Sequence, residues 1–204
     1  AIERSTGASR SIALLVLGTV GAGKTTFLHY TRLVSSAKYF ETSESGPYPH
    51  WIHIDFRGFS PTGNVFEFIS DGIRQYMAED AFLSNYEQCI RPAYIAQIRA
   101  LRDGPLKEIA ADETAVKLRI ADYLLSQAAT PEYLIRVLKY ATSKSAIFLV
   151  IDNVDQFSED GAQERIFSEA VALATRTNLN LVLAMRDATF VQNKSSPTFN
   201  AFDF

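Results

Sequence analysis

The hydrophobic pattern of the chain alternates between short apolar runs, typical of buried strands, and longer stretches with helical spacing. Four runs predict strands, at residues 12–17, 51–56, 147–152 and 179–185. The run at 51–56 alternates apolar and polar residues, whereas the run at 147–152 is continuous up to a final acid, as expected for a parallel strand that is covered on both faces. Strands that alternate with helical segments predict an α/β fold with a parallel sheet.

Helical spacing of apolar residues fills most of the remaining sequence. It predicts helices over residues 24–36, from about Asn64, and over residues 161–175. From about residue 78 to residue 145 only helical periods occur, with a break at Gly104–Pro105 and a helix start at Thr130–Pro131, where Thr is a good N-cap. We therefore expect a helical insertion between strands two and three. Its apolar stripes either bury against one another or form a docking surface for a partner.

A glycine-rich turn joins the first strand to the first helix and matches the phosphate-binding pattern G-x-x-x-x-G-K-[ST], the Walker A motif. Glycines permit positive φ, so that successive N–H groups point inward as an anion nest, to which the helix N-terminus adds positive charge. Lys24 supplies a full charge for the β- and γ-phosphates, and the Thr25 hydroxyl is placed to ligate Mg²⁺. The predicted nucleotide-binding residues are Gly18, Thr19, Gly21, Ala22, Gly23, Lys24, Thr25 and Thr26.

The third predicted strand ends in Asp152, which makes it a Walker B candidate. Carboxyl ends of parallel strands meet at the edge of the sheet where the glycine-rich turn opens, so Asp152 can hold Mg²⁺ through water opposite Thr25. Asp152 and Thr25 are therefore the predicted metal-binding residues, with a strand-capping aspartate as the alternative for Asp152. Asp55, at the end of strand two, could reach the same edge, but a hydrogen bond to a neighbouring loop is the favoured explanation for it.

Together, the two motifs and the helical insertion between strands two and three resemble the additional-strand class of P-loop NTPases. Within that class, the run Asp152-Asn153-Val154-Asp155-Gln156 resembles the D-[DGN]-h-D-[EQ] form of STAND-type signalling ATPases and their KAP-like relatives. Arg186, just after the fourth strand, resembles the sensor arginine that these families place near the γ-phosphate. The resemblance implies three catalytic residues, namely Asp155, Asn153 and Arg186.

One departure from related families concerns the residue after the metal-binding acid. The AAA+ form has Glu at that place, whereas this chain has Asn153, whose amide can orient water but cannot accept its proton. Asp155 is the nearby acid, and we expect it to orient the attacking water. For Arg186, a surface ion pair with Asp187 is the alternative to the role of a sensor.

The resemblance also implies an architecture, a three-layer fold with five parallel strands in the order 5-1-4-3-2 and helices on both faces. The fifth strand would begin at Ala201–Phe204. We expect residues 1–10 to be a leading segment and residues 11–204 to be a P-loop NTPase domain, with its helical insertion at about 78–145, cut from a longer protein.

Composition sets outer limits on these expectations. The formal net charge of −3 gives no overall preference for nucleic acid, and no apolar run approaches the ~20 residues that a membrane helix needs. The single cysteine, Cys89, cannot form an internal disulfide and is expected to be a small buried side chain. Since the N-terminus also lacks the apolar core of a signal peptide, we expect a reducing, cytoplasmic setting.

These patterns predict an ATP hydrolase that requires Mg²⁺, hydrolyses slowly and acts as a nucleotide switch for oligomerisation or an attached effector, in signalling or defence. Expected partners are the nucleotide, further copies of the chain through the NTPase domain, and an effector or further domains after residue 204, with no membrane. The alternative is an ATPase that acts on DNA, similar to origin-recognition initiators. The acidic balance and the Asn153 departure count against DNA.

Overall fold

The computed structural model describes residues 11–42, 47–157 and 161–193, and they form an α/β fold around one parallel sheet. The four strands lie in the order β1-β4-β3-β2 and comprise β1 Ala13–Leu17, β2 His50–Asp55, β3 Ile147–Asp152 and β4 Asn180–Met185. All three neighbouring pairs are parallel, so the predicted α/β class and the four predicted strands are confirmed. The order differs from the expected 5-1-4-3-2 because β1 is an edge strand within these ranges. The predicted fifth strand and the leading segment lie outside them.

Helices connect the strands and build the region between β2 and β3. The α-helices are α1 Lys24–Tyr30, α2 Val65–Glu79, α3 Arg91–Ala93, α4 Ile95–Asp103, α5 Glu113–Ala128, α6 Pro131–Thr142, α7 Ala162–Thr177 and α8 Asp187–Asn193. Residues Thr31–Ser35 and Tyr86–Ile90 form π-helical turns, and 3₁₀ turns occur at Ala37–Phe40, Phe56–Gly58, Lys107–Ile109 and Val154–Gln156. Helices thus occupy the region between β2 and β3, as the helical periods of the sequence predicted, whereas α8 was not predicted from the sequence.

The predicted first helix, over 24–36, is helical to Ser35, but its second half is a π-helix and not an α-helix. The Thr31 hydroxyl donates a hydrogen bond of 2.8 Å to the Phe27 carbonyl, one turn earlier, and so competes with the backbone for that acceptor. The ladder then shifts by one residue, and the Ser36 N–H donates to the Thr31 carbonyl at 2.8 Å in the i to i−5 pattern of a π-helix.

Helices cover both faces of the sheet, in agreement with a three-layer arrangement. Alternate side chains of a strand point to opposite faces. The larger core lies between the sheet and α2, α6 and α7, with Ile52, Ile54, Leu149, Ile151 and Leu183 as its strand residues. The smaller core lies on the other face, where α1 and the turn at 37–40 cover Trp51, Phe148, Val150, Val182 and Ala184. The predicted phosphate-binding turn leads into α1, on the side of this smaller core.

Apolar stripes of the insertion bury against one another, as one of the two alternatives predicted. Residues of α4, α5 and α6 share the larger core, including Ile98, Val116, Ile120, Leu124, Leu134, Val137 and Leu138. Apolar residues on the outer faces of these helices are exposed, among them Ile95 of α4 at 40%, and Leu118 and Leu125 of α5 at 62% and 73%. The predicted cap is confirmed, because the Tyr133 N–H donates to the Thr130 hydroxyl at 3.2 Å.

Cys89 is fully buried, as expected, and burial next to Asp80 raises its thiol pKa to about 12. This thiol therefore stays protonated at neutral pH and packs as an apolar side chain. Over the described ranges, no helix combines the length and the apolar character that crossing a membrane requires.

Asp80 ties the start of β2 to the end of α2. Its Oδ2 accepts hydrogen bonds from the Tyr48 hydroxyl at 2.9 Å and lies 3.1 Å from His50 Nδ1, and its Oδ1 accepts from the N–H groups of Phe82 and Leu83. Burial alone would raise the pKa of Asp80, but the contacts with His50, Leu83 and Tyr48 outweigh burial and hold the pKa below its usual value of 3.8. The network fixes the position of the strand that carries Asp55.

Replacing Asp80 by Asn should lower the free energy of unfolding at pH 7 by about 2 kcal/mol, because a buried charged acceptor is lost. The folded pKa of Asp80 is depressed, so its contribution to stability is complete above the usual pKa of 3.8 and disappears as pH falls through the folded pKa. Urea unfolding of both proteins from pH 7 down to pH 2 measures this. Asp71→Asn, at an exposed position of α2, is the control. A gap between wild type and Asp80→Asn that persists undiminished at pH 2 would contradict the assignment.

Candidate functional site

The turn between β1 and α1 has the backbone geometry of an anion cradle. Gly21 and Gly23 have φ of +75° and +78°, the left-handed region that glycine enters without strain. The Ala22 N–H donates to the Thr19 carbonyl at 3.2 Å and closes the turn, and Gly23 is the N-cap of α1. Consecutive N–H groups in such a turn form a concave surface that favours anions.

Lys24 lies folded over this turn. Its Nζ donates to the carbonyls of Gly18 and Thr19, at 3.0 and 3.2 Å, and lies 3.6 Å from Asp155 Oδ2. The ammonium is therefore held above the turn by its own loop and by one carboxylate. An anion that bound in the cradle would lie within reach of this ammonium.

Thr25 and Asp152, the two predicted metal-binding residues, are in direct contact. The Thr25 hydroxyl donates to Asp152 Oδ2 at 2.7 Å, which joins the start of α1 to the end of β3. Asp152 Oδ1 accepts from the Asn153 N–H at 2.8 Å, and the residue is only 1% exposed. Burial alone would raise the pKa of Asp152, but contacts with His53, Thr25 and the Asn153 backbone outweigh burial and lower it, so the carboxylate is charged.

His53 is a neighbour of this pair that the sequence analysis did not single out. Its Nε2 lies 3.5 Å from Asp152 Oδ2, and its ring contacts the ring of His29 with centroids 5.4 Å apart. The register pairs Asp55 with Asp152, and the period of two along β2 puts His53 and Asp55 on one face of the sheet. In the sequence, the alternation of Ile52 and Ile54 with polar residues indicates that His53 and Asp55 share the other face of the strand. Only the pairing of β2 with β3 shows that this face brings His53 close to Asp152.

Asn153 and Asp55 form a second polar pair at the same edge of the sheet. Asn153 has φ of +60°, and its Nδ2 donates to Asp55 Oδ1 at 2.9 Å. Asp55 also accepts from Arg57, through Nε at 2.8 Å and the backbone N–H at 2.9 Å, which confirms the favoured expectation for Asp55. Burial alone would raise the pKa of Asp55, but the contacts with Arg57 and Asn153 outweigh burial and lower it.

Asp155 places one carboxylate oxygen between two cations. Its Oδ2 lies 2.9 Å from Arg186 Nε and 3.6 Å from Lys24 Nζ, and its side chain is only 10% exposed. Arg186 follows β4 and forms its ion pair with Asp155, and it makes none with Asp187 in the part of the chain that the structure describes. The predicted water-orienting acid thus contacts both cations that were predicted to reach the phosphates.

The turn and the strand ends enclose a cavity of about 290 Å³. Its lining comprises Val20, Gly21, Ala22, Gly23, Lys24, Thr25, Asn153, Asp155 and Arg186. The structure therefore brings together the cradle and all three predicted catalytic residues. Gly18 and Thr19 contribute carbonyls to Lys24, Asp152 lies beneath Thr25, and Thr26 is exposed on α1 outside the lining.

The residues present fit Mg²⁺ bound together with a nucleotide. Within residues 11–42, 47–157 and 161–193, no group of three or more His, Cys, Asp or Glu side chains could hold a metal by itself. Mg²⁺ usually keeps several waters and takes one or two protein ligands together with substrate phosphates. Thr25 and Asp152 supply a ligand set of that size, so the metal would depend on the nucleotide.

Comparisons of the chain with models of known protein families, with curated proteins and with solved structures found no match. An α/β sheet alone does not imply a function, because one fold supports many activities. The case for nucleotide binding therefore depends on the geometry of the cavity and its lining.

The contribution of the hydrogen bond between Asn153 and Asp55 to stability can be measured by comparison with a second asparagine, Asn178, that has the same backbone conformation. Asn178 has φ of +58° and is exposed, and its side chain makes no hydrogen bond in the described ranges. Asn178→Ala should lower the free energy of unfolding by roughly 1 kcal/mol, since alanine is less tolerant of the left-handed region. Asn153→Ala should lower it by about 1 kcal/mol more, because this change also removes the hydrogen bond to Asp55. Equal losses in urea unfolding would show that this hydrogen bond does not stabilise the fold.

Proposed function

We propose that the chain is a P-loop NTPase domain of the additional-strand class that binds Mg²⁺-ATP in the 290 Å³ cavity and hydrolyses it slowly. The observation that carries the proposal is the 2.7 Å hydrogen bond from the Thr25 hydroxyl to Asp152. It joins the two residue types that hold Mg²⁺ in P-loop enzymes, next to a turn with two left-handed glycines. If Asp152 only capped its strand, that role would not explain why the Thr25 hydroxyl, Lys24 and the glycine-rich turn lie on the same side.

Each residue of the cavity has a role that its position supports. The glycine-rich turn lines the cavity, and the backbone N–H groups of Gly21, Gly23 and Lys24 would bind phosphate oxygens, with the Lys24 ammonium as the mobile charge. Thr25 and Asp152 would hold Mg²⁺, which supplies charge neutralisation at the β- and γ-phosphates when it is bound. Arg186 enters from the end of β4 and would stabilise negative charge on the γ-phosphate.

Slow hydrolysis follows from how the acids and amides near the cavity are engaged. Asn153 cannot accept a proton, and its amide nitrogen is bound to Asp55 at 2.9 Å. Asp155 can accept one, but its Oδ2 is shared between Arg186 and Lys24. Orientation of a water by Asp155 requires that this ion cluster first opens. The site therefore favours a long-lived bound state over rapid turnover.

A bound nucleotide would act on the protein through this ion cluster. Lys24 and Arg186 must exchange Asp155 for phosphate oxygens, which frees the carboxylate and the turn Val154–Gln156 that carries it. The Gln156 amide donates to the Phe56 carbonyl at 2.6 Å, so that turn is tied to the end of β2. A local exchange of charge partners of this kind can shift a segment between two conformations. Such a shift is what a nucleotide switch requires.

Lys24→Ala should abolish ATP binding, because it removes the only full charge that the cradle itself contributes. Lys38→Ala removes an exposed lysine outside the cavity and should leave binding unchanged. Isothermal titration calorimetry with Mg²⁺-ATP, together with circular dichroism to confirm folding, measures both variants. Equal ATP affinity of wild type and Lys24→Ala would refute the site assignment.

Asp155→Asn should raise the affinity for ATP roughly tenfold, since Lys24 and Arg186 no longer have to leave a carboxylate when they bind phosphate. The same change should slow phosphate release at saturating ATP, because Asp155 is the predicted water-orienting acid. Asp187→Asn, next to Arg186 but without an ion pair to it in the described ranges, is the control for net charge. Unchanged ATP affinity would contradict the proposal that Asp155 competes with phosphate for Lys24 and Arg186. Unchanged phosphate release would exclude Asp155 from catalysis.

A further inference from the structure

A second cavity, of about 490 Å³, lies among α3, α6 and the end of α7. It shares no lining residue with the 290 Å³ cavity. Residues 132, 135, 136, 139 and 140 of its lining follow the helical spacing of one face of α6. The opposite face of the same helix is the buried stripe that contains Leu134 and Val137. This arrangement leaves one side of α6 for the core and the other for the cavity.

Three cations, on α6 and at the end of α7, line this second cavity. Arg136, Lys139 and Arg176 form no ion pair in the part of the chain that the structure describes, although Glu132 lies one turn from Arg136 and also lines the cavity. The Arg136 guanidinium lies 5.1 Å from the centre of the Tyr94 ring, a contact that orients the cation without neutralising it. In a chain whose net charge is −3, these three cations create a local excess of positive charge.

Apolar groups form the rest of the wall. Ile135, Tyr140 and Ala93 are half-buried and pack against the larger core, so they hold fixed positions beside the cations. The volume of about 490 Å³ is that of a small-molecule site, for which volumes of about 300–1,000 Å³ are usual. A few charged groups at one side and apolar groups at the other are also typical of such sites.

We propose that this cavity binds a small organic anion, an acid group carried on an aromatic or branched apolar body. Arg136, Lys139 and Arg176 would bind the acid group, and Ile135 and Tyr140 would contact the apolar body. A simple inorganic anion would leave the apolar wall exposed to water, and a neutral ligand would leave the cations without a partner. The combination of the two surfaces therefore selects an anion of this amphipathic kind.

A titration of the full chain with 2-naphthoate, followed by amide NMR, tests the proposal. The comparators are 2-naphthalenemethanol, with the same rings and no charge, and acetate, with the charge and no rings. We expect saturable shifts of the amides between Ile135 and Tyr140. We also expect naphthoate to bind roughly tenfold more tightly than either comparator, because each comparator lacks a charge-assisted hydrogen bond or the apolar contact.

Variants test whether 2-naphthoate binds in this second cavity. Lys139→Gln with Arg176→Gln should weaken naphthoate binding at least roughly tenfold, whereas Arg99→Gln with Lys117→Gln, two exposed cations on α4 and α5, should leave it unchanged. Lys24→Ala should keep full naphthoate binding, so failure of the ATP site and failure of this proposal are distinguishable. Equal binding of naphthoate and both comparators would overturn the proposal. Binding of a hexaglutamate peptide at α6 without binding of naphthoate would overturn it in favour of an acidic protein segment.

Discussion

The hydrogen bond between Thr25 and Asp152 is the interaction on which the rest of the site depends. It connects residues that are 127 positions apart in the chain, and it forms only because β1, β4 and β3 are adjacent and parallel. That order sets the start of α1 against the end of β3, so a hydroxyl and a buried carboxylate meet beneath the glycine-rich turn. The sheet thus places Asp55, Asp152 and Arg186 at the carboxyl ends of its strands, where ligands of open α/β sheets bind.

At this edge of the sheet, two cations share one carboxylate. These cations, Lys24 and Arg186, converge on a single oxygen of Asp155, while the amide of the neighbouring Asn153 cannot accept a proton. In the proposed function, an entering phosphate would have to replace the carboxylate before either cation could bind it. The same carboxylate would then be free to accept a proton from the attacking water. Asp155 would in this way link affinity, hydrolysis and conformational change.

Strands and buried stripes could be predicted from the sequence, because a period of two or of about 3.6 reflects the face that each element buries. The contacts within the site could not be predicted in this way. His53 lies near Asp152 only because β2 pairs with β3 in a specific register, and Asn153 turns toward Asp55 because its own φ is positive. The π-helical turn after Tyr30 arises from one hydroxyl, that of Thr31, which a hydrophobic pattern does not record. The Asp155 ion cluster likewise depends on side-chain geometry across three elements.

A crystal structure of the full chain with Mg²⁺ and a non-hydrolysable ATP analogue would test the proposed nucleotide site. We expect the β- and γ-phosphates within the turn from Gly18 to Lys24 and Mg²⁺ at about 2.1 Å from the Thr25 hydroxyl oxygen. We also expect that Asp155 no longer contacts Lys24. A nucleotide bound away from this turn, or one bound there with the ion pair between Lys24 and Asp155 intact, would refute the proposed site.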